Sequence, residues 1–231
     1  MQHTVSAAVN TLTTLSCTMS VRPRLATDPF RTLSLCINDI CRWFIKKRLL
    51  LNPSKTEAVL FVTRIQRDKV PTSGGIDVAG TLMPFRDTDK LLRVTLDSAI
   101  SVDQHVTEVV QSCNSHIRAL RHIRQSLTPN VAKMLAHSMV TSRLDYANAL
   151  LSGTTSGNLD RLQVSQNSLA RLVCQAMRSA SATKLRRQLQ WLPIRQRIAY
   201  KLAVITYRTR STGTQVYLTD LIKIYHPSRT L

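Results

Sequence analysis

The chain has 231 residues, of which 43% are hydrophobic and 5% aromatic, and it carries 32 Lys and Arg against 13 Asp and Glu. This length can bury the core of one large or two small domains, and this composition excludes a disordered chain. The formal net charge of +19 predicts a polyanionic partner, of which nucleic acid is the commonest. The sequence shows neither a run long enough for a transmembrane helix nor a secretory signal. We therefore predict an intracellular protein, in the nucleus or the cytoplasm, without a membrane partner.

Residues 1–29 are rich in Thr and Ser and show no sustained period. We predict a poorly defined segment with a short strand around Thr4–Val9. From Phe30 to Leu50 the apolar residues recur every three or four positions, which predicts an amphipathic helix. Asn52-Pro53 predicts its stop, because the residue before a proline is pushed out of helical geometry. The apolar run at Thr56–Val62 then predicts a buried strand.

A polar connection leads to Ile76–Phe85, where weak alternation around Gly80 predicts a hairpin, and then to a second short strand at Leu91–Leu96. Asp87 and Asp89 form an Asp-x-Asp on the connection between them. We interpret both as solvated loop residues, because a catalytic carboxylate pair belongs on a rigid hairpin.

From Ser101 onward the pattern is helical, and its segments predict an antiparallel bundle. Thr128-Pro129 is a cap followed by a proline in the first turn, which marks the start of the second helix. The predicted helices run from Ser101 to Ile123, from Thr128 to Leu151, from about Gly157 to Met177, from Ala182 to Leu189, from Ile194 to Arg208 and from Val216 to Tyr225.

The five cysteines show neither paired metal spacing nor a disulfide framework, and no cysteine or carboxylate completes a zinc pattern with the histidines. Cys36 and Cys41 fall on the pattern of the first helix, which predicts two core thiols. The sequence therefore predicts no metal site and no cofactor in this chain.

Several motifs stand in the order typical of one family. LLLNPSKTEAVLF, DKLLRVTLDS, SRLDYANALLSG, LQWLPIRQRIAYKLAVITY and YHPSRTL together resemble the carboxy-terminal half of reverse transcriptases from non-LTR (LINE-type) retrotransposons of the jockey and chicken-repeat group. The resemblance covers roughly Leu33 to Leu231. It implies an α+β, predominantly α fold, in which residues 30–100 are a palm remnant of one helix and a few short antiparallel strands, ending in the palm–thumb hairpin, and residues 101–231 are a helical thumb bundle. Arg93 stands where the family usually has glycine.

The resemblance also implies a chemistry, which this sequence carries incompletely. Polymerases of the family hold two Mg²⁺ ions with one early aspartate and an adjacent aspartate pair, and no two acidic residues here are neighbours. We therefore expect a truncated RNA-directed DNA polymerase that does not polymerise alone, Mg²⁺ belonging only to the intact enzyme. Lys55 corresponds to a lysine near the incoming triphosphate, where an ammonium can protonate the leaving pyrophosphate. A solvated lysine at a helix–strand corner is the simpler interpretation.

The remaining candidates are arginines of the helical region. Residues 101–231 carry 18 Lys and Arg against five Asp and Glu, whereas an ordinary surface mixes both signs. A thumb that follows a primer–template backbone would use such cations without reading sequence, although a solvated face is the alternative. The candidate nucleic-acid-binding residues are Arg118, Arg121, Arg124, Arg186, Arg187, Arg195 and Arg197.

Two other outcomes stay open at this point. The missing palm and fingers of the same polymerase would be a partner if they are supplied as a separate chain. Alternatively, the chain is a non-functional product of a decayed transposable element, whose first helix would expose a face that the palm normally buries.

Overall fold

A computed structural model describes residues 3–10, 14–21, 29–49, 56–61, 75–78, 80–213 and 216–223. The chain divides into two compact units, Met1–His105 and Val106–Leu231. The described residues are mostly helical with a few short strands, which confirms the predicted α+β, mainly α class.

The first unit contains a five-stranded sheet and a separate two-stranded hairpin. The sheet order is β2-β1-β3-β5-β4, with β3 and β5 parallel and the other neighbours antiparallel. The strand expected around Thr4–Val9 is therefore present as β1, but β2 was not predicted. The strands are β1 His3–Asn10, β2 Thr14–Val21, β3 Thr56–Phe61, β4 Gly75–Val78, β5 Thr81–Arg86, β6 Thr88–Leu91 and β7 Val94–Asp97.

Helix α1, Pro29–Lys46, packs its apolar face on this sheet. The core that they share consists of Leu33, Ile37, Cys41, Ala58, Leu60, Ile76 and Val78. Cys41 is buried as predicted, but the prediction for Cys36 is wrong, because it lies on the exposed side of the helix.

Helix α1 ends four residues before the predicted Leu50. Arg48 has a left-handed φ of 57°, and the Leu49 N–H donates to the Phe44 carbonyl at 2.9 Å. The Arg48 N–H donates to the Ile45 carbonyl at 2.9 Å, which completes the hydrogen-bond pattern of a Schellman motif. The helix is therefore ended by local backbone hydrogen bonds before Asn52-Pro53 is reached.

The predicted hairpin at Ile76–Phe85 is present as β4 and β5, but the predicted strand at Leu91–Leu96 is wrong. Leu91 pairs with Val94, so Leu92 and Arg93 form a two-residue turn between β6 and β7. Both have positive φ, 48° and 65°, as a type I′ turn requires. The residues around this turn favour a strand, and neither central residue is Gly, Asn or Asp. The sequence therefore contains no local signal for the turn.

Replacing Leu92-Arg93 with Asn-Gly is expected to stabilise the first unit by about 1 kcal/mol, since left-handed backbone costs an ordinary residue about 1–2 kcal/mol. Urea unfolding followed together with amide exchange in β6 and β7 would measure the gain. Arg93→Ala is the control, because it removes the side chain and keeps the strained backbone. An equal gain from Arg93→Ala would contradict this explanation.

The second unit is built of helices, each of the longer ones burying apolar side chains. Thr128 caps α3 as predicted, its side-chain oxygen accepting from the Val131 N–H at 3.4 Å. A π-helical turn, His137–Thr141, joins α3 to α4. The helices are α2 Asp103–Ile123, which begins in the first unit, α3 Pro129–Ala136, α4 Ser142–Asp145, α5 Ser156–Val173, α6 Ala182–Gln188, α7 Ile194–Thr212 and α8 Val216–Leu221.

The second predicted helix stops earlier than Leu151. It ends at Asp145, because Tyr146 is extended and Ala147 has a left-handed φ of 51°. A short 3₁₀ helix, Asn148–Leu151, follows and places Leu151 in the core. In the part of the chain that the structure describes, no helix combines the length and apolarity needed to cross a membrane.

Candidate functional site

Helices α2 and α5 lie side by side and run in the same direction. The Arg161 guanidinium donates to the Thr107 hydroxyl at 3.0 Å near their N-terminal ends, and the Ser165 hydroxyl donates to Asn114 Oδ1 at 3.5 Å further along. Buried Cys113, Ile117 and Leu120 line one side of α2, and Leu162, Leu169 and Val173 line one side of α5. The solvent side of this pair is a groove.

Basic side chains line the groove towards the C-terminal ends of the two helices. Two cavities, of about 670 and 400 Å³, adjoin there and share Arg121 and Ser168. Arg118 lines the smaller cavity, and Arg171 and Arg178 line the larger one. Amide and hydroxyl groups complete the walls, and within the described residues no carboxylate lines either cavity. We call Arg118, Arg121, Arg171 and Arg178 the groove arginines.

Arg124 lies at the base of the groove, and its guanidinium donates hydrogen bonds to backbone carbonyls of the protein. It is 5% exposed, and its Nε donates to the Leu172 and Val173 carbonyls, each at 3.2 Å. Its terminal nitrogens donate to Val173 at 2.6 Å and to Leu127 at 3.0 Å. The guanidinium thus caps the C-terminal carbonyls of α5, which a helix leaves without intrahelical partners. We therefore infer a structural role for Arg124, and its contact with nucleic acid stays a prediction.

Arg186 and Arg187 belong to α6, but they differ in environment. Arg187 is exposed, whereas Arg186 is half-buried and donates to Asn167 Oδ1. Burial lowers the pKa of Arg186, and the positive charge of Arg171 lowers it further. Arg186 Nε is buried and has no hydrogen-bond partner among the described residues. The guanidinium groups of Arg171 and Arg186 thus lie close enough for their charges to repel, and neither forms an ion pair with an acidic side chain among the described residues.

Arg195 and Arg197 both have acidic partners, contrary to the predicted lack of nearby acids. Arg195 lies 3.8 Å from Asp160, and both side chains are exposed. Arg197 donates to Asp145 at 2.6 Å and to the Leu192 carbonyl at 2.9 Å, so it joins the start of α7 to the end of α4. The structure brings Arg118 and Arg121 together and gives Arg197 a bridging role.

Arg171 and Arg178 were missed by the sequence reasoning. Arg171 lies on α5, where its Nε donates to the Ala180 carbonyl at 3.3 Å, and Arg178 lies in the connection to α6. Their proximity to Arg121 depends on the packing of α5 against α2. The only signal in the sequence was their place in a long stretch with few acids.

The Asp-x-Asp motif is divided between two environments. Asp87 is exposed at the bend between β5 and β6, but Asp89 is half-buried within β6, so its assignment to a solvated loop was wrong. Burial raises the pKa of Glu57 on β3, a side-chain hydrogen bond with Asp89 raises it further, and Arg86 at 2.5 Å opposes them. This cluster is an ion-paired contact between strands. Lys55 lies outside the described residues, as do Asn52 and Pro53.

Cys113 is a buried thiol on α2. Burial raises the pKa of the Cys113 thiol to about 11, which keeps it protonated at neutral pH. Across the described ranges, no three His, Cys, Asp or Glu side chains lie close enough together to hold a metal ion.

Comparison with protein families, with curated proteins and with solved structures finds no match to this chain.

Proposed function

We propose that this chain is a palm-and-thumb portion of a non-LTR reverse transcriptase, and that its helical unit holds a primer–template hybrid through the phosphate backbone. The observation that carries the proposal is the C-terminal part of the groove between α2 and α5. The described residues that line its two cavities include Arg118, Arg121, Arg171 and Arg178 and no acidic side chain, whereas Asp160 lines the groove nearer the N-terminal ends of the helices. Guanidinium groups are suited to phosphate, because they donate several hydrogen bonds in a fixed plane.

The dimensions of the groove fit this role. Its lining on the α2 side extends from Gln111 to Gln125, which is about 20 Å at the rise of a helix. A double-stranded nucleic acid carries about one phosphate charge per 1.7 Å of its axis, so several phosphates can lie along that length. No base-reading element is required, and the binding we propose does not depend on sequence.

The turn at Leu92-Arg93 supports the family assignment independently of charge. The resemblance places a family glycine at Arg93, and Arg93 has a left-handed φ of 65°. Glycine is the residue that adopts this conformation without cost. The backbone at this position therefore has the shape that a glycine-containing hairpin would have, although the side chain has changed.

In this proposal the chain contributes binding and no complete catalytic site. The sequence has no adjacent carboxylate pair to hold the two Mg²⁺ ions that the polymerase reaction needs, and Lys55 would act only beside a palm that supplies them. The partners are a sequence-independent primer–template, in the nucleus or the cytoplasm, and the palm and fingers of the same polymerase.

Fluorescence anisotropy with a labelled RNA–DNA hybrid, measured between 50 and 200 mM salt, tests the proposal. We expect binding at low salt and a fall in log affinity with log salt of slope about −3 to −4, which corresponds to about four phosphate contacts. A hybrid of the same length and scrambled sequence is the control and should bind equally. Absence of binding at 50 mM salt, or binding that ignores salt, would contradict the proposal.

A specific observation favours the alternative, a product of a decayed element without independent activity. The outer side of α1 and the residues after it leave Leu35, Trp43, Ile45 and Leu49 more than half exposed. Large exposed apolar side chains on one helix invite aggregation. A purified chain that aggregates and shows no cooperative thermal transition would favour this alternative over a binding protein.

A further inference from the structure

The outward side of α7 carries a stripe of exposed residues that the groove does not use. Gln196, Tyr200, Ala203, Tyr207 and Arg210 follow one another at intervals of four, three, four and three residues, and all five are exposed. Intervals of three and four keep side chains on one side of a helix. Tyr200 is 65% exposed and Tyr207 is 73% exposed, so most of each ring faces solvent.

The opposite side of α7 supplies its packing. Ile194 and Ile198 are buried, and Leu202 and Ile205 are half-buried. The helix is thus anchored without its tyrosines, and core packing does not account for them. The feature particular to α7 is that two exposed rings lie two turns apart on one side of the same helix, where successive unpaired bases could stack on them.

Charge identifies the kind of partner that this stripe fits. The sequence of α7 contains five Lys and Arg and no Asp or Glu. Arg195 and Arg197 have acidic partners outside α7, and the other three form no ion pair among the described residues. Lys201 and Arg208 each follow a tyrosine directly, so they lie along one border of the stripe, and both are exposed. A surface that combines aromatic rings with unbalanced cations is typical of proteins that stack bases and hold phosphates of an unpaired strand.

We propose that this side of α7 binds single-stranded nucleic acid, with Tyr200 and Tyr207 stacking on unpaired bases while Lys201, Arg208 and Arg210 contact phosphates. The inference rests on the proposed binding of nucleic acid and extends it from the duplex to an unpaired strand. The two tyrosines are seven residues apart, about 10 Å along the helix, which equals the height of three stacked bases. Bases inside a duplex are already stacked on both sides, so this surface selects unpaired ones.

Two comparisons test the proposal. The first uses a labelled single-stranded RNA of about 12 nucleotides with wild type, Tyr200→Leu/Tyr207→Leu and Tyr200→Phe/Tyr207→Phe. Leucine keeps the apolar area but cannot stack, so we expect affinity to fall about tenfold, whereas phenylalanine keeps it within about twofold. Binding of the RNA–DNA hybrid should be unchanged in both variants. Circular dichroism checks that the variants stay folded.

The second comparison uses the wild-type chain alone and therefore does not depend on a variant. An abasic oligonucleotide has the same phosphates without bases, and we expect it to bind about tenfold more weakly than the single-stranded RNA. Equal binding of abasic and normal strands, or full affinity in the leucine variant, would overturn the proposal. So would a leucine variant that changes the oligomeric state in sedimentation without changing RNA affinity, because the stripe would then join two copies. If the stripe proposal fails but the RNA–DNA hybrid still binds in a salt-dependent way, the proposal for the groove is retained. If neither the hybrid nor the single strand binds, both proposals are wrong.

Discussion

Replacing Arg118 and Arg121 with glutamine is expected to weaken binding of the RNA–DNA hybrid about tenfold at 100 mM salt and to reduce the salt slope by about two. Each arginine that neutralises one phosphate contributes about 0.9 to that slope, because a bound counterion is released with each contact. The substitutions lie on the exposed side of α2 and leave the core intact, so stability should change by less than about 0.5 kcal/mol. Anisotropy titrations at four salt concentrations would measure both quantities.

Lys133→Gln is the matched control for Arg118→Gln made alone. Lys133 is exposed on α3 and does not line the groove, so its substitution removes one positive charge, as Arg118→Gln does, at a different place. Arg118→Lys/Arg121→Lys should keep the salt slope and lose part of the affinity, since lysine keeps the charge without the planar donors. An equal loss from Lys133→Gln would mean that overall charge, and not the groove, binds the hybrid.

Replacing Arg124 with methionine is expected to destabilise the second unit by about 3 kcal/mol. The substitution leaves the Val173 and Leu127 carbonyls without their described donor, while the Leu172 carbonyl keeps the Gln175 N–H at 3.2 Å. Burial prevents water from replacing the guanidinium freely. Arg124→Lys should recover only part of the loss, because one ammonium cannot reach all these carbonyls in the geometry of the guanidinium. Urea unfolding of the whole chain, followed by helical circular dichroism, gives the free energy.

Arg121→Met is the control, because the same side chains are exchanged one turn earlier on the exposed side of α2. It should cost less than about 0.5 kcal/mol. If Arg124→Met instead unfolds like the wild type and binds the hybrid more weakly, the guanidinium contacts nucleic acid, as the sequence originally indicated.

The spacing of Arg118, Arg121 and Arg124 is enough to predict that Arg124 is buried. Residues at every third position do not stay on one side of a helix. Each step of three residues turns by about 300°, which falls about 60° short of a full turn, so successive side chains shift around the helix by that angle. Arg124 is therefore displaced by about 120° from Arg118, onto the side of Ile117 and Leu120, which are buried. Arg118 and Arg121 lie on the solvent side of α2, whereas Arg124 does not, so the three do not form one exposed row.

Local signals were the ones that predicted structure correctly. Thr128-Pro129 identifies the start of α3 by itself, because a cap and an N-terminal proline act within one turn. Residue preferences could not predict the turn at Leu92-Arg93, since both residues disfavour the conformation that strand pairing imposes on them, and only the family resemblance implied a hairpin there. The groove could not be predicted either, because Arg171 reaches Arg121 only after α5 packs against α2.

Two glutamine side chains on α5 link this helix to the start of α7. Gln166 is 1% exposed and its Nε2 donates to the Leu192 carbonyl at 2.9 Å, while Gln163 Oε1 accepts from the Ile194 N–H at 3.0 Å. Detaching the first turn of α7 would break both hydrogen bonds, so its local opening costs more free energy than the opening of a helix end that lacks such bonds. Backbone amides of the two helices should therefore exchange with deuterium as one cooperative block, and the stripe on α7 is held by a rigid support.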